Sequence, residues 1–462
     1  MLKPSQLLLL FYVWLCIEGP GMAAEYHVGP DQPLATPEKV PWESLGPGDR
    51  VLIHHRERPY RAKWVLCCRG TEDAPIIVRG VRGAGGELPV IDARNAVSRP
   101  GLDFWSGERG VIKIGGASFA PQLTPAHIVI ENLEIRGARP GRSFISGRGI
   151  QQYDEAASAI FVEKAEHITI RNCALHDCGN GFFTAHDTSE IRVESCRIYD
   201  NGLEDSYYQH NVYTESAGII FESNSIGPLR ENCPGNNLKD RSSGLVVRYN
   251  WIEGGNRQLD LVDAEDSERI RRDHRYDTAY VYGNVLIELE DAGNNQIVHF
   301  GGDSGPGAGY RKGPLYFYNN TVVSRRAGNT TLLRLSTDDT AARVFNNVLF
   351  VETDGERFAI LDETGFVQLS HNIIKPGWKR SHGTLRGAIL AGDNLPPGGQ
   401  FFVDAARGDY RLVRGASGVD AGGGDLPERH RLQAEPDREA RRRDRPAVGP
   451  LDIGAFEARP AN

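Results

Sequence analysis

Beyond its first two dozen residues the chain has no long apolar run, so no later segment is suited to cross a bilayer as a helix. Methionine is almost missing, with two residues in 462, while glycine is abundant at 53. That balance, with many β-branched residues, argues against a helical body and for an all-β one. No long basic face is present and the formal net charge is -8. Nucleic-acid affinity rests on phosphate-neutralising cations, so a nucleic-acid partner is not expected. No two cysteines have the CxxC spacing of a zinc site, and no GGxGxD calcium repeat occurs.

The N-terminus is the one exception to the scarcity of apolar runs. Lys3 provides a positive start, residues 7–17 an apolar core, and Met22-Ala23-Ala24 a small-residue cleavage site. The run is short for a membrane span. Residues 1–24 therefore read as a signal segment, and the mature protein is expected to be exported, periplasmic or extracellular. Cys16 follows Leu15, where a lipid-anchor signal wants a small residue, so no lipid anchor is expected.

What the chain does contain is a repeat. Nine segments fit one nine-residue template: HIVIENLEI from His127, HITIRNCAL from His167, EIRVESCRI from Glu190, GIIFESNSI from Gly218, GLVVRYNWI from Gly244, TAYVYGNVL from Thr278, PLYFYNNTV from Pro314, AARVFNNVL from Ala341 and FVQLSHNII from Phe366. Six of the nine carry asparagine at the seventh position: Asn224, Asn250, Asn284, Asn320, Asn347 and Asn372. The other three have Leu133, Cys173 and Cys196 there. A short strand, a fixed bend and a second short strand, recurring every ~25 residues, describe one coil of a parallel β-solenoid.

Successive seventh positions are 40, 23, 28, 26, 34, 36, 27 and 25 residues apart. The longer gaps place insertions at about 138–156, 264–277 and 302–313, expected as loops that wall a site. Residues 25–110 read as an N-terminal cap with the first coils, 111–415 as the continuous helix, and 416–462 as an irregular C-terminal tail or cap. A cap is expected because a bare first coil would expose unpaired strand edges. The Arg441-Arg442-Arg443 run, flanked by Glu439 and Asp444, reads as a solvated loop.

The recurring asparagines read as structural. A bend favours a left-handed backbone angle that asparagine tolerates. Amides stacked at one corner can also donate and accept along the axis. Cys173 and Cys196 share that corner on adjacent coils, within disulfide range but with nearly parallel Cβ directions; a disulfide and a stacked pair of thiols both remain open.

With these corners, with PGDRV and GTEDAPIIVRG near the start and with DYRL, VDAGGG and GPLDIGAFE near the end, the chain resembles the right-handed parallel β-helix of the pectate-lyase-like superfamily. The resemblance spans nearly the whole mature chain. It implies the fold, and a protein acting on or binding polysaccharide, since the superfamily holds lyases, hydrolases, uronate epimerases and non-catalytic adhesins. A fold does not set the chemistry.

Each coil should hold a further strand upstream of the template, in SAIFVEK, GFFTAHD, HNVYTES, NLKDRSS, LDLVDAE, QIVHFGG and LLRLSTD. Alternation points Phe183, Ala185, Val212, Leu238, Leu259, Leu261, Val298, Leu333 and Leu335 inward. Thr184, His186, Asn211, Tyr213, Lys239, Arg241, Asp260, His299 and Arg334 then face outward, flanked by His210 and Asp263. Lys239, Arg241, His210 and Tyr213 are the candidate catalytic group. Arg241 suits bidentate capture of a uronate carboxylate. Lys239 suits a base if burial and Arg241 lower its pKa. In related β-helix lyases lysine and arginine fill such roles, often with calcium, and that carries over here as residue types only. Asn211, Asp260, His299, Arg334 and Tyr208 are candidate substrate contacts. Asp260 and Asp263 could instead form a hydrolase pair or hold a calcium ion.

Three readings follow: a lyase or epimerase on an acidic, uronate-containing polysaccharide; a glycoside hydrolase using an Asp pair; and a non-catalytic polysaccharide-binding module. In each the protein is expected to work as a monomer, with no nucleic-acid partner.

Overall fold

The computed structural model describes residues 23–290, 292–424 and 427–459. The proposed signal segment lies, but for its last two residues, outside them. The described chain winds as a parallel β-helix with three strands per coil. The template row runs through Glu25–Val28, Arg50–His54, Ile76–Val81 and Ala126–Glu131, then through each template to Ala388–Ala391. The row after each bend is a ten-stranded parallel sheet from Val90–Asp92 to Ile373–Ile374. The leading row, upstream of each template, runs from Trp64–Leu66 through Gly110–Ile114 and ends at Phe358–Leu361. Ser158–Arg171 and Asn180–Glu194 bend without a break from the leading row into the template row.

Period-two alternation builds the interior. Val212, Leu238, Leu259, Val298 and Leu333 are register partners on successive coils and all are buried. Phe221, Val247, Val281, Phe317, Val344 and Leu369 do the same in the template row. Burial of one inward face fixes register, because a one-residue slip would turn every apolar side chain to solvent. In the coil from Asn180 the register differs from the expected alternation. Phe182, not Phe183, stacks over Val212, so Phe183 turns outward beside Tyr213 and Thr184 turns inward. Phe182 is fully buried there, and the unbroken strand carries that register on into the template row.

The corner asparagines form a continuous ladder. The amide Nδ2 of each donates to Oδ1 of the next: Asn224 to Asn250 at 2.9 Å, then Asn284, Asn320, Asn347, Asn372 and finally Asn394. The same Oδ1 atoms also accept the backbone N–H of the preceding coil, at 2.9 Å for Asn224 N to Asn250. The left-handed angle sits one residue earlier than expected, at the sixth template position. Asn132, Asn172, Ser195, Ser223, Tyr249, Asn319, Asn346 and His371 have φ between 48° and 59° there. The bend and the ladder are thus separate tasks of adjacent residues. Cys173 and Cys196 are free thiols, and Cys196 Sγ takes the acceptor role beneath the amide of Cys173 at 3.5 Å. Sulfur stands where the amide oxygen would, so the stacked-thiol alternative holds.

The other corners carry polar stacks too. Asn201, Asn211 and Asn237 link at 3.0 and 2.8 Å between the following and leading rows. Thr214, Asp240 and Ser242 link at 2.7 Å between the leading and template rows, and the fully buried Arg311 reaches Asp240 at 3.3 Å. The C-terminal segment folds back along the corner after the template row. The hydroxyls of Tyr249 and Tyr318 donate to the carbonyls of Arg431 and His430 at 3.0 and 2.6 Å.

Candidate active site

The leading row has an unusual outward file. Tyr213, Lys239, Asp260, His299 and Arg334 are direct register partners on five consecutive coils. Two residues further along, alternation returns the chain to the same face with Glu215, Arg241 and Ser336. Strand residues two apart point to one side, so the local period alone creates this cluster. The 302–313 insertion then brings Asp303 over it. The 264–277 insertion, with its short helix Glu268–Arg271, brings Glu265 and Asp266. The 138–156 insertion is a hairpin paired with 96–97, away from this file.

Asp303 is the keystone of the network. Its carboxylate accepts from Lys239 Nζ through Oδ2 and from Arg241 Nη2 through Oδ1 at 2.9 Å. Lys239 also bridges to Asp260 Oδ2 at 2.9 Å. Arg241 donates through Nε to the Tyr213 hydroxyl at 3.1 Å and through Nη1 to the Asp263 carbonyl at 2.7 Å, with Glu265 at 3.0 Å. The cations are therefore spoken for. Burial alone would lower the Lys239 pKa, but Asp260 and Asp303 outweigh it and hold the value above the ordinary lysine range. This corrects the reading of Lys239 as a base: two carboxylates keep it an ammonium.

Asp260 is 2% exposed and fully committed. It meets Lys239, Asn236 Nδ2 at 2.9 Å and His299 Nδ1 at 2.8 Å. Burial would raise its pKa, yet His299 and Lys239 hold it well below the usual carboxylate range. Asp263 positions the insertion, accepting from the Asp303 and Ser304 amides at 2.8 and 3.2 Å and from Ser304 Oγ at 2.8 Å. Both carboxylates are thus bound by protein donors, which leaves neither free for a hydrolase pair. Nor do they suit calcium, which needs free oxygens: both carboxylates are occupied by N–H and O–H donors. Among the described residues no cluster of three or more His, Cys, Asp or Glu side chains is arranged for a metal.

His210 is 2% exposed, and its Nδ1 accepts the Asn236 amide N–H at 2.9 Å. Burial first, then Lys239, pushes its pKa down to about 3. With that lone pair used, the neutral ring carries its proton on Nε2 and can only donate there, so it is a positioning group and not a base. Asn211 is fully buried in the corner ladder and does not reach the outer face, a second correction. Its amide is spent on register. Tyr208, 80% exposed, stands on the loop before His210 beside the exposed Tyr207, and Arg334 is exposed at the end of the file.

Glu215, Asp303 and Ser336 were not among the sequence candidates. Glu215 is 5% exposed, with one oxygen accepting from the Asp266 amide at 3.1 Å. Burial raises its pKa to about 7, against the opposing pull of that amide and Arg241. Asp303 moves the other way, lowered by Lys239 and Arg241 despite burial. Alternation from Tyr213 and Arg334 could have reached Glu215 and Ser336. No local signal singles out Asp303 within its insertion.

Comparison with known proteins accords with the coil. Residues 123–322 match the family described as right handed beta helix region. No curated protein matches the sequence. Among solved structures the chain is similar to pectate lyase Pel9A (12% identity, TM-score 0.48, covering 95% of this chain and 98% of that one). It is similar also to a rhamnogalacturonan lyase (13%, TM-score 0.47, 80% and 87%) and to an alginate lyase from Paenibacillus sp. str. FPU-7 (12%, TM-score 0.41, 77% and 94%). The handedness that the resemblance implied holds by the family match, and the protein is a right-handed parallel β-helix.

Proposed function

We propose that the chain is an exported, monomeric, carbohydrate-active enzyme that cleaves glycosidic bonds in a polysaccharide lying across the Tyr213–Arg334 file. One observation carries this: two carboxyls whose environments drive them apart around a shared arginine. Glu215 keeps its proton close to neutrality and Asp303 stays ionised. Such a split supplies an acid for the leaving oxygen and a carboxylate for the anomeric side. Glu215 donates to the glycosidic oxygen, while Asp303, held by Lys239 and Arg241, activates water or meets the developing positive charge. The exposed Arg334 favours a polymer carrying acidic sugars, and Tyr208 offers a stacking ring at the edge.

A second reading is β-elimination on a uronate. It is favoured by the Arg241 Nε donor on the Tyr213 hydroxyl, which sets a phenol oxygen beside an arginine on the outer face. Lys239 has no base role in it. The readings separate on one assay: a panel of uronate and neutral polysaccharides followed for new reducing ends and for the ultraviolet band of an unsaturated product. Hydrolysis yields reducing ends without the band. The band, lost in Tyr213→Phe but kept in Glu215→Gln, establishes elimination. No new ends on any polymer, with saccharide binding retained, leaves a binding module.

A further inference from the structure

Beside the carboxyl pair lies a second chain of polar atoms that glycosidic cleavage does not use. His299 is 2% exposed between two partners. Its Nδ1 lies 2.8 Å from Asp260 Oδ1, and its Nε2 lies 2.9 Å from Ser336 Oγ. Asp260 and His299 are register partners on adjacent coils, His299 pairs with Arg334 on the next, and Ser336 stands two residues beyond Arg334 on the same face. Three successive coils thus align a carboxylate, an imidazole and a hydroxyl.

Proton counting decides what this chain does. Asp260 is ionised, so it accepts the Nδ1 proton. Burial lowers the His299 pKa, against the pull of Asp260, so the ring is neutral and has only that one proton. Nε2 then carries a lone pair, and the hydrogen between it and Ser336 must come from the serine. Ser336 Oγ also accepts the Gly302 N–H at 2.9 Å, which holds it in place. The Gly302 carbonyl, also 2.9 Å away, competes for the same serine proton, and the turn-capping role alone would use that bond. A cap needs no imidazole backed by a buried carboxylate. Ser336 is only half-buried, and the exposed Arg334 stands beside it on the outer face.

We propose that Ser336, His299 and Asp260 form a nucleophilic relay that hydrolyses carboxylic esters carried by the saccharide. Only the identity of the carrier rests on the function proposed above; the ester chemistry stands on the relay itself. Ser336 Oγ attacks the ester carbonyl as its proton passes to His299 Nε2. The tetrahedral intermediate collapses, the C–O bond to the alcohol breaks, and that alkoxide takes the proton from His299. Water, deprotonated by His299, then attacks the acyl-serine and releases the acid, restoring the hydroxyl. Arg334 is placed to meet the oxyanion, and Asp260 orients the ring without taking the proton.

The test uses the full chain with p-nitrophenyl acetate and a fluorophosphonate probe. We expect ester turnover and labelling confined to Ser336 by peptide mass, both lost in Ser336→Ala and turnover reduced at least 100-fold in His299→Gln. Ser336→Cys guards against misfolding: its thiol should alkylate at least 10-fold faster than the same thiol in Ser336→Cys combined with His299→Gln. Turnover equal in wild type and Ser336→Ala, labelling elsewhere, or equal alkylation in the two cysteine variants overturns the relay. O-acetylated and methyl-esterified oligosaccharides then separate the ester sources, by acetate or methanol released; release of neither overturns the saccharide carrier. Because glycosidic cleavage is read separately by reducing ends, loss of one activity leaves the other standing.

Discussion

At the scale of single residues, this site is governed by how charges share partners. Lys239 and Arg241 look like free cations in the sequence, yet Asp303 and Asp260 absorb both. In the proposed hydrolysis Glu215 is the acid, and its pH dependence has a definite sign. As pH rises through about 7 the proton is lost and glycosidic cleavage should fall. Glu215→Gln should cut the rate by ~10²–10⁴ below that pH and abolish the alkaline limb, read from pH–rate profiles of the two proteins. A wild-type rate that stays level between pH 6 and 8 would remove Glu215 from the mechanism. His210 gives a stability counterpart. Its folded pKa is about 3 against an ordinary value of 6.5. The unfolded chain therefore binds the proton first, and stability should decline as pH falls from 6.5 towards 3. Urea midpoints measured across that range should show the slope, and His210→Phe should flatten it.

At the scale of the coil, the elements depend on buried polar ladders as well as on apolar stacking. Each ladder amide donates both to a backbone carbonyl and to the next asparagine in the same register. Asn320→Ala removes the acceptor of both Asn284 Nδ2 and the Asn284 amide N–H. The Asn284 backbone N–H is left unpaired, while its Nδ2 keeps the Val247 and Tyr282 carbonyls, so we expect a loss of about 1–3 kcal/mol, seen as a lower urea midpoint. Cys196→Asn is the contrasting case. It extends the ladder one coil by replacing a weak sulfur acceptor, and its midpoint should match or exceed that of the wild type. The leading row shows the same dependence at the site. Lys239 faces Asp260 only because Leu238 and Leu259 are locked together inside.

At the scale of the molecule, a solenoid has only neighbour contacts along most of its length. The C-terminal segment supplies long-range ones, strapping the tyrosine column of Tyr249, Tyr282 and Tyr318 through His430 and Arg431. Tyr318→Phe removes the 2.6 Å bond to the His430 carbonyl, about 1 kcal/mol of attachment. If the strap opens locally, trypsin should cut the arginine-rich tail roughly five-fold faster in that variant while the coils stay intact. Equal cutting rates would show that the tyrosine bond does not hold the strap.

The primary structure by itself determined the coil. The nine templates, the asparagine corners and the alternation of the leading strands are local periodicities, and local sterics with one buried face convert them directly into three parallel rows. It also brought Tyr213, Lys239, Asp260, His299 and Arg334 into one file, since coil spacing is a property of the repeat. Only the tertiary structure decided their chemistry. Asp303 arrives from an insertion without periodicity, and its contact with Lys239 spans more than sixty residues of chain. The protonation of Glu215, the charge on Lys239 and the proton direction through His299 depend on burial and on partners from several coils. Those quantities belong to the assembled surface, where desolvation and opposing charges are summed over groups distant in the chain.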